Sequence, residues 1–259
     1  MTLSSPQGWR ARASGDSPGR PEYAAEFLRR NSRFRAEQAQ MVRGIADGTM
    51  DEEPAQAAFA RQWGCMDAGA SVEIAAPQCW QPELVPITVI LDAAPEGFSD
   101  ASAIDLDAIG PPITEVSGRG GRHVVIADPD GEHRLWLRDD TPGRAMAAVI
   151  PLDRDFHMRV ASLMRFHRRL LGGRSGAQPR GWVLTSYRRN RFDLMLRAFD
   201  MREAGASYRD IAAALGENDA AQLPATEWKN SRARSYVIRL VRAATAMTNG
   251  GYRKLLAIR

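Results

Sequence analysis

The sequence predicts an α+β fold, in which helices and a small β-sheet precede a C-terminal all-helical domain of the helix-turn-helix kind. Two short runs in the middle of the chain, LVPITVILDAAP and RHVVIADPDGEHRLWLRDD, are β-branched or alternate in polarity, which is typical of strands. After Pro151 the apolar residues recur every three or four positions, which is typical of amphipathic helices. These two patterns predict a change of architecture near residue 150.

The first part of the chain divides into a lead-in and an acidic domain. Residues 1–20 are rich in Ser, Gly, Pro and Arg and lack periodicity, so we expect them to be disordered. Residues 21–150 predict an α/β domain whose early helices end near Gly48 and at Gly64. We expect these helices to pack on a sheet of three or four strands, which includes a hairpin closed by Gly131.

The second part, residues 153–259, predicts a basic helical domain. Its first helix begins at an Asp153 cap and stops at Gly172, and its next long helix ends at Gly205. The apolar residues of the first helix share one face, which we expect to be buried. These residues are Phe156, Val160, Leu163, Met164, Leu170 and Leu171.

Charge is distributed unevenly along the 259 residues, although the net charge is only +4. Residues 45–153 carry 6 Arg against 19 acidic residues, whereas residues 154–259 carry 21 Arg or Lys against 8 acidic residues. A cationic excess over about a hundred residues favours a polyanionic partner. The alternative is that Arg-rich helix faces are simply solvated.

Several function classes are disfavoured by composition. Two cysteines cannot build a disulfide framework, and no apolar run reaches the ~20 residues of a membrane span. The start lacks the apolar segment of a secretory signal, so we expect a cytoplasmic protein. We find no nucleophile motif, phosphate-binding loop or metal-ligand spacing, so we expect neither an enzyme nor a cofactor or metal site.

The segment after Gly205 carries the clearest chemistry. Ser207 and Asp210 have the spacing of a capping box, and the short Ala-rich helix that follows is typical of the first helix of a helix-turn-helix. A second helix opens near Thr226, with Trp228 expected in the core and cations on the opposite side. The residues predicted to contact double-stranded DNA are Ser207, Arg209, Lys229, Asn230, Arg232, Arg234, Arg239 and Arg242.

The connection between these two helices, residues 216–227, is longer than the three or four residues of a tight helix-turn-helix. We therefore expect an extended turn or an insertion of the winged-helix kind. A generic Arg-rich bundle or a protein-binding helix is the alternative interpretation of the same pattern.

Several motifs resemble a known family. PEYAAEFLRRNSRFRAE, FARQWG and VPITVILDAAP resemble the N-terminal domain of proteobacterial excision activators, and GASYRDIAAALG with EWKNSRARSYVIRLVRAATAMTNGGYRKLL resembles their C-terminal domain. The fusion is similar to the FseA-type activators of rhizobial integrative and conjugative elements. The resemblance implies transcriptional activation of an excisionase gene, horizontal transfer of the element, and inhibition by a small antiactivator protein.

The sequence as a whole therefore predicts a DNA-binding transcriptional activator that controls excision of a mobile genetic element. The C-terminal domain would bind DNA, and the acidic domain would bind a partner such as RNA polymerase. The alternative is a protein-interaction adaptor or antiactivator that sequesters another regulator.

Overall fold

The computed structural model describes residues 18–66, 79–98, 100–101, 103–118 and 120–257. The helices are α1 (Arg20–Arg29), α2 (Ser32–Ala46), α3 (Glu52–Trp63), α4 (Leu106–Ile109), α5 (Phe156–Leu170), α6 (Ser186–Glu203), α7 (Tyr208–Ala214), α8 (Asn218–Ala221), α9 (Ala225–Asn230), α10 (Arg232–Ala246) and α11 (Arg253–Leu256). A π turn (Met247–Gly251) joins α10 to α11. The strands are β1 (Thr88–Ala93), β2 (Pro112–Gly118), β3 (Gly121–Ile126), β4 (His133–Leu137) and β5 (Met146–Val149). The predicted α+β class is confirmed.

The five strands form one mixed sheet in the order β2-β3-β4-β1-β5. Strands β1 and β4 are parallel, and the other neighbours are antiparallel. The predicted hairpin is confirmed as β3 and β4, with Gly131 at φ 102° in their turn. Gly118 of β2 pairs with Gly121 of β3 at the end of their antiparallel ladder. Gly121 is required there, because a Cβ atom would lie 2.0 Å from the carbonyl oxygen of Leu137.

The larger hydrophobic core joins the N-terminal helices to the C-terminal helices. The rings of Tyr23 and Phe27 lie 5.1 and 6.1 Å from the ring of Phe192 in α6. The prediction that the early helices pack on the sheet is therefore wrong for their apolar faces. Helix α1 contacts the sheet instead through an ion pair, in which Arg134 of β4 lies 2.9 Å from Glu22 of α1.

Polar contacts connect the same N-terminal and C-terminal elements. Tyr23 donates a 2.7 Å hydrogen bond to Asp193, and Tyr252 donates a 2.8 Å hydrogen bond to the carbonyl of Trp63. Asn31 caps α2 and also donates to the carbonyl of Thr248 in the π turn. Residues more than 160 positions apart thus share one core.

Helix α5 contacts the sheet with the opposite face from the predicted one. Its buried residues are Arg159, Ser162, Arg165 and Phe166. The predicted apolar face is half-buried or exposed, and Met164 and Leu171 are 50% and 74% exposed. The physical reason is that the turns beside the sheet present carbonyl groups, which the guanidinium of Arg165 satisfies at Gly131 and Gly176.

The two ends of α5 also differ from the expectation. The helix begins after Asp155 rather than Asp153. The Asp153 carboxylate lies in the preceding turn, where it accepts a 2.9 Å hydrogen bond from the Asp155 amide and binds the guanidinium of Arg159 at 2.8 Å. The expected stop is confirmed, since Gly172 follows the helix in the left-handed region at φ 77°.

Residues 1–17 of the predicted lead-in lie outside the described residues, and residues 18–20 are described. Its last residue, Arg20, is not disordered but begins α1 and is buried. The Arg20 guanidinium donates to the carbonyl groups of Gly181 and Trp182 at 2.8 Å. These bonds fix the start of α1 on the segment that leads into α6.

Candidate nucleic-acid interface

Helices α6, α7 and α10 form the frame of the candidate interface. Helix α10 contacts both α6 and α7. The residues that α10 buries are Ala233, Val237, Leu240, Val241 and Ala244. They belong to the same core as Met195, Leu196 and Phe199 of α6. Helix α10 therefore has one buried side, and its opposite face is directed to solvent.

Helix α7 begins with the predicted capping box. The Ser207 hydroxyl accepts from the Asp210 amide at 3.2 Å, and the Ser207 amide donates to the Asp210 carboxylate at 3.0 Å. Hydrogen bonds from Ser207 also hold the pKa of Asp210 below its usual range. Ser207, predicted to contact DNA, thus has a visible role as a helix cap.

The connection after α7 is folded rather than extended. Gly216 adopts φ 98°, the short α8 follows, and α9 begins at Ala225. The prediction that Trp228 lies in the core is confirmed, because its side chain is 8% exposed and packs in the larger core. The Arg209 guanidinium lies 5.3 Å above the Trp228 ring, which joins α7 to α9.

The sequence predicts one helix from Thr226 onward, whereas the structure has two helices there, α9 and α10. Ser231 has an extended backbone (ψ 147°), so it ends α9 and caps α10. Its hydroxyl accepts from the Arg234 amide at 3.1 Å. Because the positive end of a helix dipole lies at the first turn, the start of α10 favours an anion near Arg232.

Helix α10 presents one cationic face. An α-helix turns by about 100° per residue, so four exposed polar side chains fall within a sector of about 80°. These side chains are Arg232, Ser235, Arg239 and Arg242. The helix contains no acidic residue between Arg232 and Ala246. Ser235 is absent from the predicted contacts, although its spacing from Arg232 and Arg239 indicates the shared face.

The other residues predicted to contact DNA are either exposed beside the start of α10 or in contact with a neighbouring helix. Lys229 and Asn230 are exposed at the end of α9, next in sequence to the start of α10. Arg234 is only partly exposed and directs a guanidinium nitrogen toward the Lys229 carbonyl at 3.4 Å. Arg209 is held by Trp228 as described above. The structure therefore brings Lys229, Asn230 and the cationic face of α10 together, while Arg209 and Arg234 contact the neighbouring helices.

Many cations of the basic region do not belong to this face. Arg168 donates to the Ser175 carbonyl at 2.7 Å, and Arg169 donates to the Ile109 carbonyl at 2.7 Å. Arg159 donates to the carbonyl of Pro82 before β1, and Arg165 donates to the carbonyl of Gly131 in the β3–β4 turn. These arginines therefore hold α5 against the segments that surround it. The net charge of residues 154–259 thus overstates the charge that a DNA partner would meet.

Three family models match successive parts of the chain. Residues 8–66 match a proteobacterial transcriptional regulator-like domain, and residues 87–148 match a domain of unknown function, DUF7012. Residues 149–257 match a family described as "T6SS, Transcription factor, DNA binding domain". No curated protein matches the chain. No solved structure matches it either. The matches at the two ends, together with the cationic face of α10, define a DNA-binding regulator of transcription.

In the part of the chain that the structure describes, no group of three or more His, Cys, Asp or Glu side chains is placed to hold a metal ion. No helix there is both long enough and apolar enough to cross a membrane.

Proposed function

We propose that the chain is a non-catalytic transcriptional activator that inserts the start of α10 into the major groove of double-stranded DNA. The observation that carries the proposal is the exposed sector of Arg232, Arg239 and Arg242 on a helix without acidic residues. Cations at this spacing suit phosphates and base edges, and Lys229 and Asn230 extend the surface at its N-terminal end.

In this proposal, the net charge of each segment determines which partner it binds. The matched C-terminal segment carries the cationic face, whereas the middle of the chain is acidic and is repelled by phosphate. The acidic segment is then free to bind a protein, and we assign it RNA polymerase as the partner. A small antiactivator is assigned on the resemblance of the sequence to the excision activators.

The gene target in this proposal is an excisionase gene of an integrative and conjugative element. The support is the combination of motifs near the two ends of the chain, such as FARQWG and the SRARS start of α10. The transcriptional regulator-like match over residues 8–66 agrees with a role in gene control.

The test is made in the native cell with the full chain and with a variant that carries Arg232→Ala and Arg239→Ala. DNA recovered with the protein should map to a promoter within a mobile element. Raised expression of the chain should increase the circular, excised form measured by quantitative PCR, and the variant should not. Recovery of promoters of T6SS genes alone, with unchanged excision, would overturn the assignment of the target.

A further inference from the structure

Most arginines after residue 153 are already bound within the protein. Arg189 donates to the Leu184 carbonyl at 2.7 Å, for example. Arg174 lies 2.6 Å from the Asp130 carboxylate. The exposed cations of this region to which the described residues supply no hydrogen bond, ion pair or ring contact are Lys229, Arg232, Arg239 and Arg242 at the candidate interface, and Arg180, Arg188, Arg191 and Lys254 elsewhere.

Three of these free cations, Arg180, Arg188 and Arg191, lie at or just before the start of α6, and we call them the second cationic surface. Arg188 and Arg191 are about one helical turn apart. Arg180 precedes Gly181, whose carbonyl accepts a 2.8 Å hydrogen bond from Arg20. Arg20 in turn lies close enough to Arg188 for the two charges to interact. The three arginines therefore belong to one part of the surface.

Among the described residues, no carboxylate is paired with this surface. The sequence contains no acidic residue from 156 to 192. Arg20 is buried and bound by carbonyl groups, and its burial together with the charge of Arg188 lowers the pKa of Arg20. The next acid along α6, Asp193, accepts a 2.7 Å hydrogen bond from Tyr23. Because its positive charge is not compensated, the surface favours an anionic partner.

The uncharged side chains at the start of α6 are also suited to phosphate. Tyr187 is 75% exposed, and Ser186 and Asn190 are exposed beside it. Arg, Tyr, Ser and Asn side chains are among those that contact the phosphates of DNA. The composition is therefore typical of a surface that holds a nucleic-acid backbone.

The second cationic surface lies past the Arg242 end of the α10 face. Arg20 at the start of α1 binds the segment before α6, and Asn31 after α1 donates to the Thr248 carbonyl in the π turn that follows α10. Helix α1 has 10 residues, so it separates these two places by about 15 Å. The start of α10 lies instead near α7, which follows the other end of α6.

We propose that Arg180, Arg188 and Arg191 bind the phosphate backbone of the DNA that flanks the site contacted by α10. The proposal rests on the proposed function, because it requires a duplex on α10. Helix α10 has 15 residues and is about 22 Å long, so this flank lies roughly six base pairs or more from the bases at the start of α10. Phosphate contacts there add affinity and fix orientation without reading sequence.

The first test is fluorescence anisotropy of a labelled random-sequence duplex of about three helical turns, over a series of salt concentrations. The α6 variant, Arg188→Ala with Arg191→Ala, should bind about tenfold more weakly than the wild type, and its salt slope should fall by about 2. Arg35→Ala with Arg43→Ala removes the same charge from exposed positions of α2 and should change neither quantity.

The α10 variant, Arg232→Ala with Arg239→Ala, is measured on the same duplex, so that failure of this proposal and failure of the proposed function are distinguished. Weaker binding by the α10 variant alone would overturn the second surface and leave the proposed function standing. Wild-type binding by both folded variants would overturn both. A loss in the α2 control as large as in the α6 variant would indicate a general effect of charge and would also overturn the second surface.

The second test detects contact at the surface directly. Both cysteines of the chain, Cys65 and Cys79, are buried, so Tyr187→Cys introduces an accessible thiol. A saturating duplex should slow the reaction of this thiol with a maleimide several-fold, whereas a thiol introduced by Val42→Cys on α2 should react at an unchanged rate. Equal rates for Tyr187→Cys with and without saturating duplex would overturn the proposal.

Discussion

Trp228 is the residue that fixes the short α9 on the core. Its ring is 8% exposed, and the Arg209 guanidinium covers it at 5.3 Å. A tryptophan beside several cations is also compatible with stacking on DNA, and only the observed burial distinguishes the two roles. The spacing of apolar residues in α9 could not decide this, because the helix is only six residues long.

Replacing Trp228 should therefore act through stability. Trp228→Ala removes a buried aromatic ring, which costs about 3–5 kcal/mol in a core. We expect a markedly lower melting temperature by circular dichroism, with DNA binding lost only as the protein unfolds. A Trp228→Ala protein of wild-type stability that fails to bind DNA would instead place this ring on the DNA.

His123 and His133 are buried histidines of the sheet, and burial lowers the pKa of each to about 4. His123 stacks on Trp136, and its Nε2 atom has no hydrogen-bond partner among the described residues. His133 lies 2.9 Å from the Ser175 hydroxyl and 3.5 Å from Asp128. The neutral imidazole is thus the folded form of both residues at neutral pH.

This burial predicts acid sensitivity. In the unfolded chain a histidine has a pKa near 6.5, so between pH 6.5 and 4 the unfolded state binds more protons than the folded state. The free energy of unfolding should fall by about 2 kcal/mol per buried histidine between pH 7.5 and 5.0. Urea unfolding at pH 7.5 and at pH 5.0 measures this decrease in the free energy of unfolding. His123→Phe keeps a ring on Trp136 and should reduce the pH-dependent loss, whereas an unchanged loss would contradict the role of His123.

At the scale of elements, the joint between α9 and α10 determines where the cationic face begins. Ser231 ends one helix and caps the next with its hydroxyl. Without this break, the two helices would continue as one, and Lys229 and Asn230 would lie in a helix interior rather than at an end. The sequence contains the Ser cap, but apolar spacing alone predicts a single helix across it.

Removing the cap should weaken both stability and binding. Ser231→Ala leaves an amide of the first turn of α10 without its side-chain acceptor, which costs about 1 kcal/mol. Denaturant unfolding measures the loss, and DNA binding should weaken because the start of α10 frays. Ser32→Ala is the control, since Ser32 is exposed and α2 is capped by Asn31. Equal stability of the Ser231→Ala protein and the wild type would contradict the role of this cap.

Elements with local signals were predicted correctly. Gly205 marks the end of α6, and the Ser207 cap marks the start of α7. The turn at Gly131 identifies the β3–β4 hairpin. Strands β2 and β5 lie at the two edges of the sheet and lack a long apolar run, so their pairing was not predicted. The sequence predicts the wrong buried face for α5, because the spacing of apolar residues does not indicate buried arginines that bind carbonyl groups.

One hydrophobic core joins the N-terminal helices to the C-terminal helices. Tyr252 of the C-terminal region bonds to Trp63, and α1 packs against α6, α11 and the π turn. These pairings join residues far apart in sequence, and no local pattern indicates them. The charge asymmetry predicts separate tasks for the two halves, but the packing makes the fold of the helical C-terminal region depend on the N-terminal helices.

This packing predicts the behaviour of a truncated chain. A fragment of residues 151–259 would expose apolar side chains that contact α1, including Phe192. We expect it to melt at a lower temperature and less cooperatively than the full chain, measured by calorimetry. A fragment that also retains residues 18–66 through a flexible linker should recover much of the transition. Cooperative, wild-type melting of residues 151–259 alone would contradict a shared core.

In the proposed function, α10 binds DNA through Arg232 and Arg239. The direct measurement is fluorescence anisotropy of a labelled duplex over a series of salt concentrations, for the wild type and for Arg232→Ala with Arg239→Ala. The control, Arg35→Ala with Arg43→Ala, removes the same charge from exposed positions of α2. If each arginine contacts a phosphate or base, the α10 variant should bind about 100-fold more weakly and its salt slope should fall by about 2. Equal affinity and equal slope for a folded α10 variant and the wild type would contradict DNA binding through this face.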